Sequence, residues 1–341
     1  MGTREDIAFD RALGALVGGA LGDAMGMPTQ LLSPAEIKAD YGFVDRFIDP
    51  APEHPVSKGL KAGAVTDDTE QTLLMASVLL QSGDSFDHHA WVDALVAWEK
   101  DIKARGGYDL LGPSTKRAID AINAGTPPEE AGRNGETNGA AMRIAPVGIL
   151  VPPGKALIAR VAESCRATHN TTIAISSAAA VATVISHGIE GADWREAIGF
   201  AVAAARAGEK QGHWVPGGTI AARIEWALDM VDGCSIEEGI AHVFDRLGTA
   251  VISQESVPAA FAVLKLAEGD AWKAAVIAAN LGGDTDTIGA IAGSMAGACA
   301  GYGRLPQDRI GGLVGIDLDD VRELARALVR VRLTHEKARH G

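Results

Sequence analysis

Apolar positions recur at helical spacing along this chain, and the few β-branched runs are short and sit inside that spacing, so the pattern predicts an all-α fold. A first helix is expected over residues 5–25. Its Gly14, Gly18, Gly19 and Gly22 each cost roughly 1 kcal/mol relative to alanine, which implies close backbone contact with a neighbour. Ser33-Pro34-Ala35-Glu36 reads as a capping box with proline at the first helical position, opening a short helix to about Tyr41. Val65-Thr66-Asp67-Asp68-Thr69-Glu70 opens the next, to about Gln81, and Ser85 caps one through about Lys103 that Gly106-Gly107 ends. Further helices are expected at 114–124, from Asn138, from Thr171 to His187, and from a box at Asp193-Trp194-Arg195-Glu196 to Arg206. The last six fall near 219–231, 236–247, 257–267, 270–280, 287–300 and 318–332. Thr126–Thr137 reads as a polar loop, and the longer loops 42–63 and 208–218 are expected to line a cleft, the usual role of long loops in a compact domain.

Composition adds a single-domain expectation: the 341 residues contain no linker, low-complexity tract or charge block. Hydrophobic content is 47% with 5% aromatics, and the dominance of Ala and Gly favours close helix packing over a sheet core. A net charge of −13 argues against a nucleic-acid polymer or an anionic membrane as partner. Cys165, Cys234 and Cys299, an odd number in apolar contexts, read as reduced core thiols of a cytoplasmic protein. Asp10, Arg11 and Asp23 bracket the apolar run Ala12–Leu21, which excludes a signal peptide there, and no apolar stretch is expected to be long enough to span a membrane. The sequence carries no signal for oligomeric state.

The densest chemistry lies in Asn280-Leu281-Gly282-Gly283-Asp284-Thr285-Asp286-Thr287-Ile288-Gly289. Two carboxylates and two hydroxyls follow a glycine pair, at the start of a helix whose positive end favours them. Such oxygen clusters suit a hard divalent cation, Mg2+ or Mn2+. Thr66-Asp67-Asp68-Thr69 repeats the pattern at another helix start; alone it reads equally as capping, but the pair is what a two-metal site built from both ends of the chain requires. Small residues at Asn138-Gly139-Ala140-Ala141-Met142-Arg143 leave free N–H groups for a phosphate or sugar, with tight packing as the plain alternative. Arg143 is expected to pair with a carboxylate, ahead of the alternative that it contacts phosphate, His169 to contact ligand from a helix start, and His187 to serve a helix dipole. Trp214 is either a packing anchor or a stacking platform.

Together these motifs resemble the ADP-ribosylglycohydrolase family. The matching stretches are Gly14–Pro28, Val65–Thr69, Asn138–Gly148, Thr168-His169, Glu255–Pro258 and Asn280–Gly297, in family order over most of the chain. The resemblance implies a single all-α domain of orthogonal helices with a cleft holding two divalent metals, Mg2+ ahead of Mn2+. It implies metal ligands at Thr66, Asp67, Asp68, Asp284, Asp286 and Thr287, and substrate contacts at Asn138, Gly139, Ala140, Met142 and His169; Gly283, Gln30 and Trp214 are further candidate substrate contacts read from this chain's own loops. The general base is Asp67 or Asp68, which the sequence does not separate. One position departs: where many members carry a glutamate, this chain has Gln30, which keeps an oxygen but loses the charge. The expected activity is metal-dependent hydrolysis of the ribosidic C1 bond of ADP-ribosylated protein or an ADP-ribose conjugate. A small α-ribosyl N-glycoside is the alternative substrate that Gln30 suggests, and a non-catalytic, crystallin-like or ligand-binding protein is the lesser alternative.

Overall fold

The computed structural model describes residues 2–83, 85–104 and 112–340, with side chains through His335. The chain opens with α1 (Arg4–Gly26) and α2 (Pro34–Asp40), each behind a reciprocal capping box, from Thr3 to Asp6 and from Ser33 to Glu36. Next come α3 (Asp67–Ser82), α4 (His88–Ala104), α5 (Pro113–Asn123), α6 (Pro128–Ala131), α7 (Gly139–Met142), α8 (Ala145–Leu150) and α9 (Lys155–Cys165). The second half holds α10 (Thr172–Ile189), α11 (Trp194–Gly208), α12 (Ile220–Met230), α13 (Ile236–His242) and α14 (Ser253–Leu266). It closes with α15 (Ala271–Ala279), α16 (Thr285–Ala300), α17 (Gln307–Ile310) and α18 (Leu318–His340). Pairing of the β type among the described residues is limited to three isolated bridges, so the fold is all-α.

Glycine spacing explains the central packing. Gly14, Gly18 and Gly22 of α1 face Gly297, Gly293 and Gly289 of α16, and Gly26 faces the backbone of Asp286. Steps of four residues keep each set on one helix face, and the opposed numbering makes the helices antiparallel. A Cβ on any of these glycines would strike the opposite backbone, so the propensity lost at each position is recovered as a seam too close for side chains. The seam also fixes function geometrically: it sets the C-terminal end of α1 beside the N-terminal end of α16. Around it one hydrophobic cluster runs from Ala8 to Val329.

Several boundaries moved for identifiable reasons. Ser85 does not cap α4; Asp87 does, accepting the N–H groups of His89 and Ala90 at 3.0 Å each. The Gly106-Gly107 stop lies outside the described residues. The helix from Asn138 lasts one turn, because Pro146 offers no N–H to continue it and the chain restarts as α8. Thr126–Thr137 contains the single turn α6, and α9, after Pro152-Pro153-Gly154, had no counterpart in the periodicity. Helix α14 begins at Ser253 and passes through Pro258, whose missing N–H leaves the Gln254 carbonyl free; Arg223 Nε donates to it instead. Residues 243–247 continue α13 as a π turn, and α18 runs to His340.

Helix α10 has no Asp, Glu, Lys or Arg and a mean hydropathy of 1.6 over 18 residues, long and apolar enough to cross a membrane, yet 89% of it is buried in the core. His187 lies in the last turn of α10, where it stacks on Phe200 at 3.9 Å, and burial holds its pKa below the ordinary value.

Candidate active site

The α1–α16 seam delivers one carboxylate that the periodicity did not flag. Asp23, fully buried near the end of α1, accepts from Thr66 N at 2.9 Å, Thr66 Oγ1 at 2.8 Å, Thr69 N at 3.1 Å and Thr69 Oγ1. These four bonds dock the first turn of α3 onto α1. On the other side Thr285 Oγ1 donates to the Gly26 carbonyl at 2.8 Å and lies 3.1 Å from Thr29 Oγ1. The two acidic clusters therefore meet across the end of α1. Asp68 Oδ2 lies 3.3 Å from the hydroxyls of both Thr66 and Thr287, which joins residues 219 positions apart. In the sequence Asp23 shows only as an acid ending a run of small apolar residues, which does not mark it as part of the site.

Five carboxylates now share one dry region: Asp23, Asp68, Asp284 and Asp286 are buried, and Asp67 is partly open to solvent. Burial raises the pKa of Asp23 to about 6 against the lowering effect of its four donors. Burial also raises Asp284 to about 6, opposed by the bond from Asn138. Asp67, Asp68 and Asp286 are pushed well up by burial and then by the neighbouring carboxylates. For Asp67 its visible surface, rather than the depth of protein around it, is what decides access, and it is the acid of this set that water reaches. Asp68 Oδ1 is buried with no hydrogen-bond partner. An unbalanced acidic cluster with an orphaned oxygen has the chemistry of a hard-cation site. Among the described residues no three Asp, Glu, His or Cys side chains are grouped so that they could hold a metal ion by themselves.

The Asn138 loop forms a second wall. Asn138 Nδ2 donates to Asp284 Oδ2 and to Ser256 Oγ at 2.9 Å, and its N–H bonds the Val251 carbonyl at 2.9 Å. Gly139, Ala140 and Met142 follow as a buried turn, with the Met142 carbonyl 3.3 Å from Thr72 Oγ1. His169 lies behind this turn, fully enclosed, where a Cβ on Gly139 would touch its ring. The structure thus makes His169 a support for the loop rather than a surface facing ligand. Arg143, expected to pair with a carboxylate, instead spends its donors on Gln71 Oε1, Thr168 Oγ1 and His169 Nδ1 and lies over the Trp91 ring at 4.9 Å. Its helix turns away at residue 143, so the side chain points into the core behind the acids.

Gln30 Nε2 donates to Ser57 Oγ at 3.0 Å, tying the glutamine to loop 42–63. Gly283 has φ 75° and packs on Thr249, and it exchanges backbone bonds with Leu31 and Leu32 at 2.7 and 2.9 Å. Trp214 is 76% exposed, which removes the packing-anchor reading. A groove of about 900 Å³ between α2 and α13, walled by Ile37, Phe43, Ile236, Ile240 and Phe244, holds none of the five acids.

The sequence model described as ADP-ribosylglycohydrolase matches residues 4–338. The chain belongs to the ADP-ribosylglycohydrolase family. Members of that family are hydrolases acting on glycosidic bonds. The chain is 35% identical over 330 residues to the uncharacterized protein YegU of Escherichia coli, covering 96% of this chain and 98% of the relative. It is 28% identical to the ADP-ribosylarginine hydrolase Tri1 of Pseudomonas putida, over 88% of this chain and 73% of the relative. A solved ADP-ribosylglycohydrolase-related protein complex contains a chain of the same fold, with a TM-score of 0.72 and 26% identity, covering 96% of this chain and 99% of that one.

Proposed function

We propose that this member of the family is a divalent-metal-dependent glycohydrolase that cleaves the ribosidic C1 bond of ADP-ribosylated protein or of an ADP-ribose conjugate. The observation that carries the reading is the meeting of five acids from α1, α3 and α16 with one buried oxygen, Asp68 Oδ1, left without a partner. Similarity to a relative named for hydrolysis of ADP-ribosylarginine supports the substrate class. Thr66, Asp67, Asp68, Asp284, Asp286 and Thr287 would hold the ions, Mg2+ ahead of Mn2+. When bound, they supply positive charge for ribose hydroxyls and make a nearby water more acidic.

The chain's own side chains perform the rest. Ribosidic cleavage builds positive charge on the ribose ring, and a cluster rich in carboxylates favours that charge. Asp67 takes the proton of the attacking water as general base, because it alone among the five acids is open to solvent while Asp68 is sealed. Asn138, held by Asp284 and Ser256, has a fixed amide with which to orient the ribose, and the tight turn Gly139–Met142 keeps that amide in place. Gln30, held by Ser57, adds no charge to the set.

The reading is tested by incubating protein mono-ADP-ribosylated on arginine with the chain and Mg2+ or EDTA, and following ADP-ribose release. Release with Mg2+, abolished in EDTA and in Asp286→Ala, supports it; release that persists in either rejects it. Gln30 and its bond to a long loop favour a second reading, a small α-ribosyl N-glycoside as substrate. Thermal unfolding with Mg2+ and millimolar ADP-ribose separates the two: a rise in Tm supports the conjugate, and no shift supports the small substrate.

A further inference from the structure

Behind the acids a single guanidinium orients two hydrogen-bonded arms. Arg143 is 1% exposed and Gln71 1% exposed. Arg143 Nη1 donates to Gln71 Oε1 at 2.9 Å, and Gln71 Nε2 donates to Asp67 Oδ2 at 3.2 Å. Arginine has donors only, so the amide atom facing it must be oxygen, and the Gln71 N–H₂ is thereby turned toward Asp67. The spacing of four residues on α3 places Gln71 one turn below Asp67 on the same face. The other arm follows the same logic. Arg143 Nη2 lies 3.3 Å from His169 Nδ1, which must accept; the remaining ring proton then sits on Nε2 and points at Thr137 Oγ1, 3.0 Å away. Burial and Arg143 both hold the imidazole neutral, in agreement with that tautomer. Thr168 Oγ1 accepts from Arg143 at 2.7 Å and lies 2.9 Å from His169 Nδ1. Thr137 is the residue before Asn138, so this arm ends on the Asn138 loop.

We propose that Gln71 is a positioning residue for Asp67. It occupies one carboxylate oxygen, Oδ2, and leaves the other outside that bond, while Arg143 fixes the amide in the only orientation that permits this. Arg143 does so without pairing to any acid, which keeps the acidic cluster free to take divalent ions. The proposal rests on the metal-dependent reading above. It assigns to Gln71 a contribution to ion binding and turnover that no contact with substrate would give it.

The test compares wild type with Gln71→Met, which matches the length of the side chain and removes both hydrogen bonds. Mn2+ binding is measured by calorimetry, and kcat and KM with arginine-ADP-ribosylated protein. Loss of an orienting partner behind a metal ligand lowers affinity by about 10–100-fold, so a Kd for Mn2+ raised at least 10-fold, with kcat reduced and KM within about twofold, is the expected result. Equal Mn2+ affinity and equal kcat in the two proteins overturn the proposal. Wild type that binds no Mn2+ overturns the metal reading instead, and the kcat comparison then decides the positioning role by itself. If Gln71→Met does not fold, Gln71→Glu replaces it, since a carboxylate there keeps Arg143 paired but presents an acceptor to Asp67. Lost turnover in folded Gln71→Glu supports the proposal, and wild-type turnover overturns it.

Discussion

Thr66-Asp67-Asp68-Thr69 and Asp284-Thr285-Asp286-Thr287 are near-copies in sequence, yet they are anchored in opposite ways. In the first, both threonines and their N–H groups converge on a buried charge, Asp23. In the second, Thr285 bonds a neutral backbone carbonyl, that of Gly26, and Asp284 is held from outside by Asn138. Both anchors lie within the last turn of α1. The first cluster is thus held by an additional acid, which deepens the repulsion that any cation must relieve; the second is held without one. Similar motifs share a site here because one helix end receives both, and the difference in anchoring separates what each substitution should do.

The most severe way to break the comparison is to separate α1 from α16. Gly22→Val places a side chain against the Gly289 backbone, which cannot retreat without opening the seam. Overpacking a tight core costs about 1–3 kcal/mol, and more where backbone must move. Both clusters lose their common anchor, and the expected outcome is loss of soluble folded protein, read by expression and circular dichroism. Asp23→Ala is the next largest, because it strands four donors of α3 in a dry site while leaving the anchor of the second cluster whole. Chemical denaturation should show a loss of about 2–4 kcal/mol. A neutral result would mean that relief of repulsion outweighs the lost bonds.

How far the sequence carried these conclusions depended on the range of the cause. Capping boxes at Ser33 and the glycine steps of α1 are local signals, and both appear in the structure as read. The pairing of the two clusters was legible because the motifs echo each other. Asp23 was not, since nothing local distinguishes a buried acid with four donors from one that ends an apolar run. Arg143 was misjudged for the same reason: Gln71, Thr168 and Trp91 reach it only through tertiary packing. The passage of α14 through Pro258 depends on Arg223, 31 residues away from the carbonyl it satisfies. Long-range polar partners are the part that periodicity does not encode.

A pH series sharpens the comparison at intermediate magnitude for each acid. Asp23 and Asp284 have folded pKa values raised from 3.8 to about 6, so in the absence of divalent ions the folded state holds protons that the unfolded chain has released. Their contribution is present below pH 3.8 and is lost as pH rises through about 6. Protein in EDTA should therefore lose on the order of 5 kcal/mol, about half from each acid, relative to protein in Mg2+ as pH goes from 4 to 7. Subtracting the two titrations cancels groups outside the cluster, including the buried neutral His169, whose effect runs the other way, with stability lost as pH falls below 6.5. Parallel titrations in EDTA and Mg2+ would show that the acids are balanced without an ion.

The smallest effect isolates the second anchor. Thr285→Val keeps the shape of the side chain and removes the hydroxyl that bonds the Gly26 carbonyl, without touching Asp23 or the first cluster. Thr29 Oγ1 lies 3.1 Å from the Gly26 oxygen and remains to satisfy it, so the loss should be about 1 kcal/mol. Because Thr285 is fully buried and its hydroxyl is committed to the Gly26 carbonyl of α1, Mn2+ affinity should stay within about twofold of wild type. The measurement is thermal unfolding paired with Mn2+ calorimetry on the same samples. A large fall in affinity with little change in Tm would place Thr285 among the ligands and make the two clusters symmetric after all, whereas a small fall in Tm alone leaves the second cluster anchored by a neutral bond.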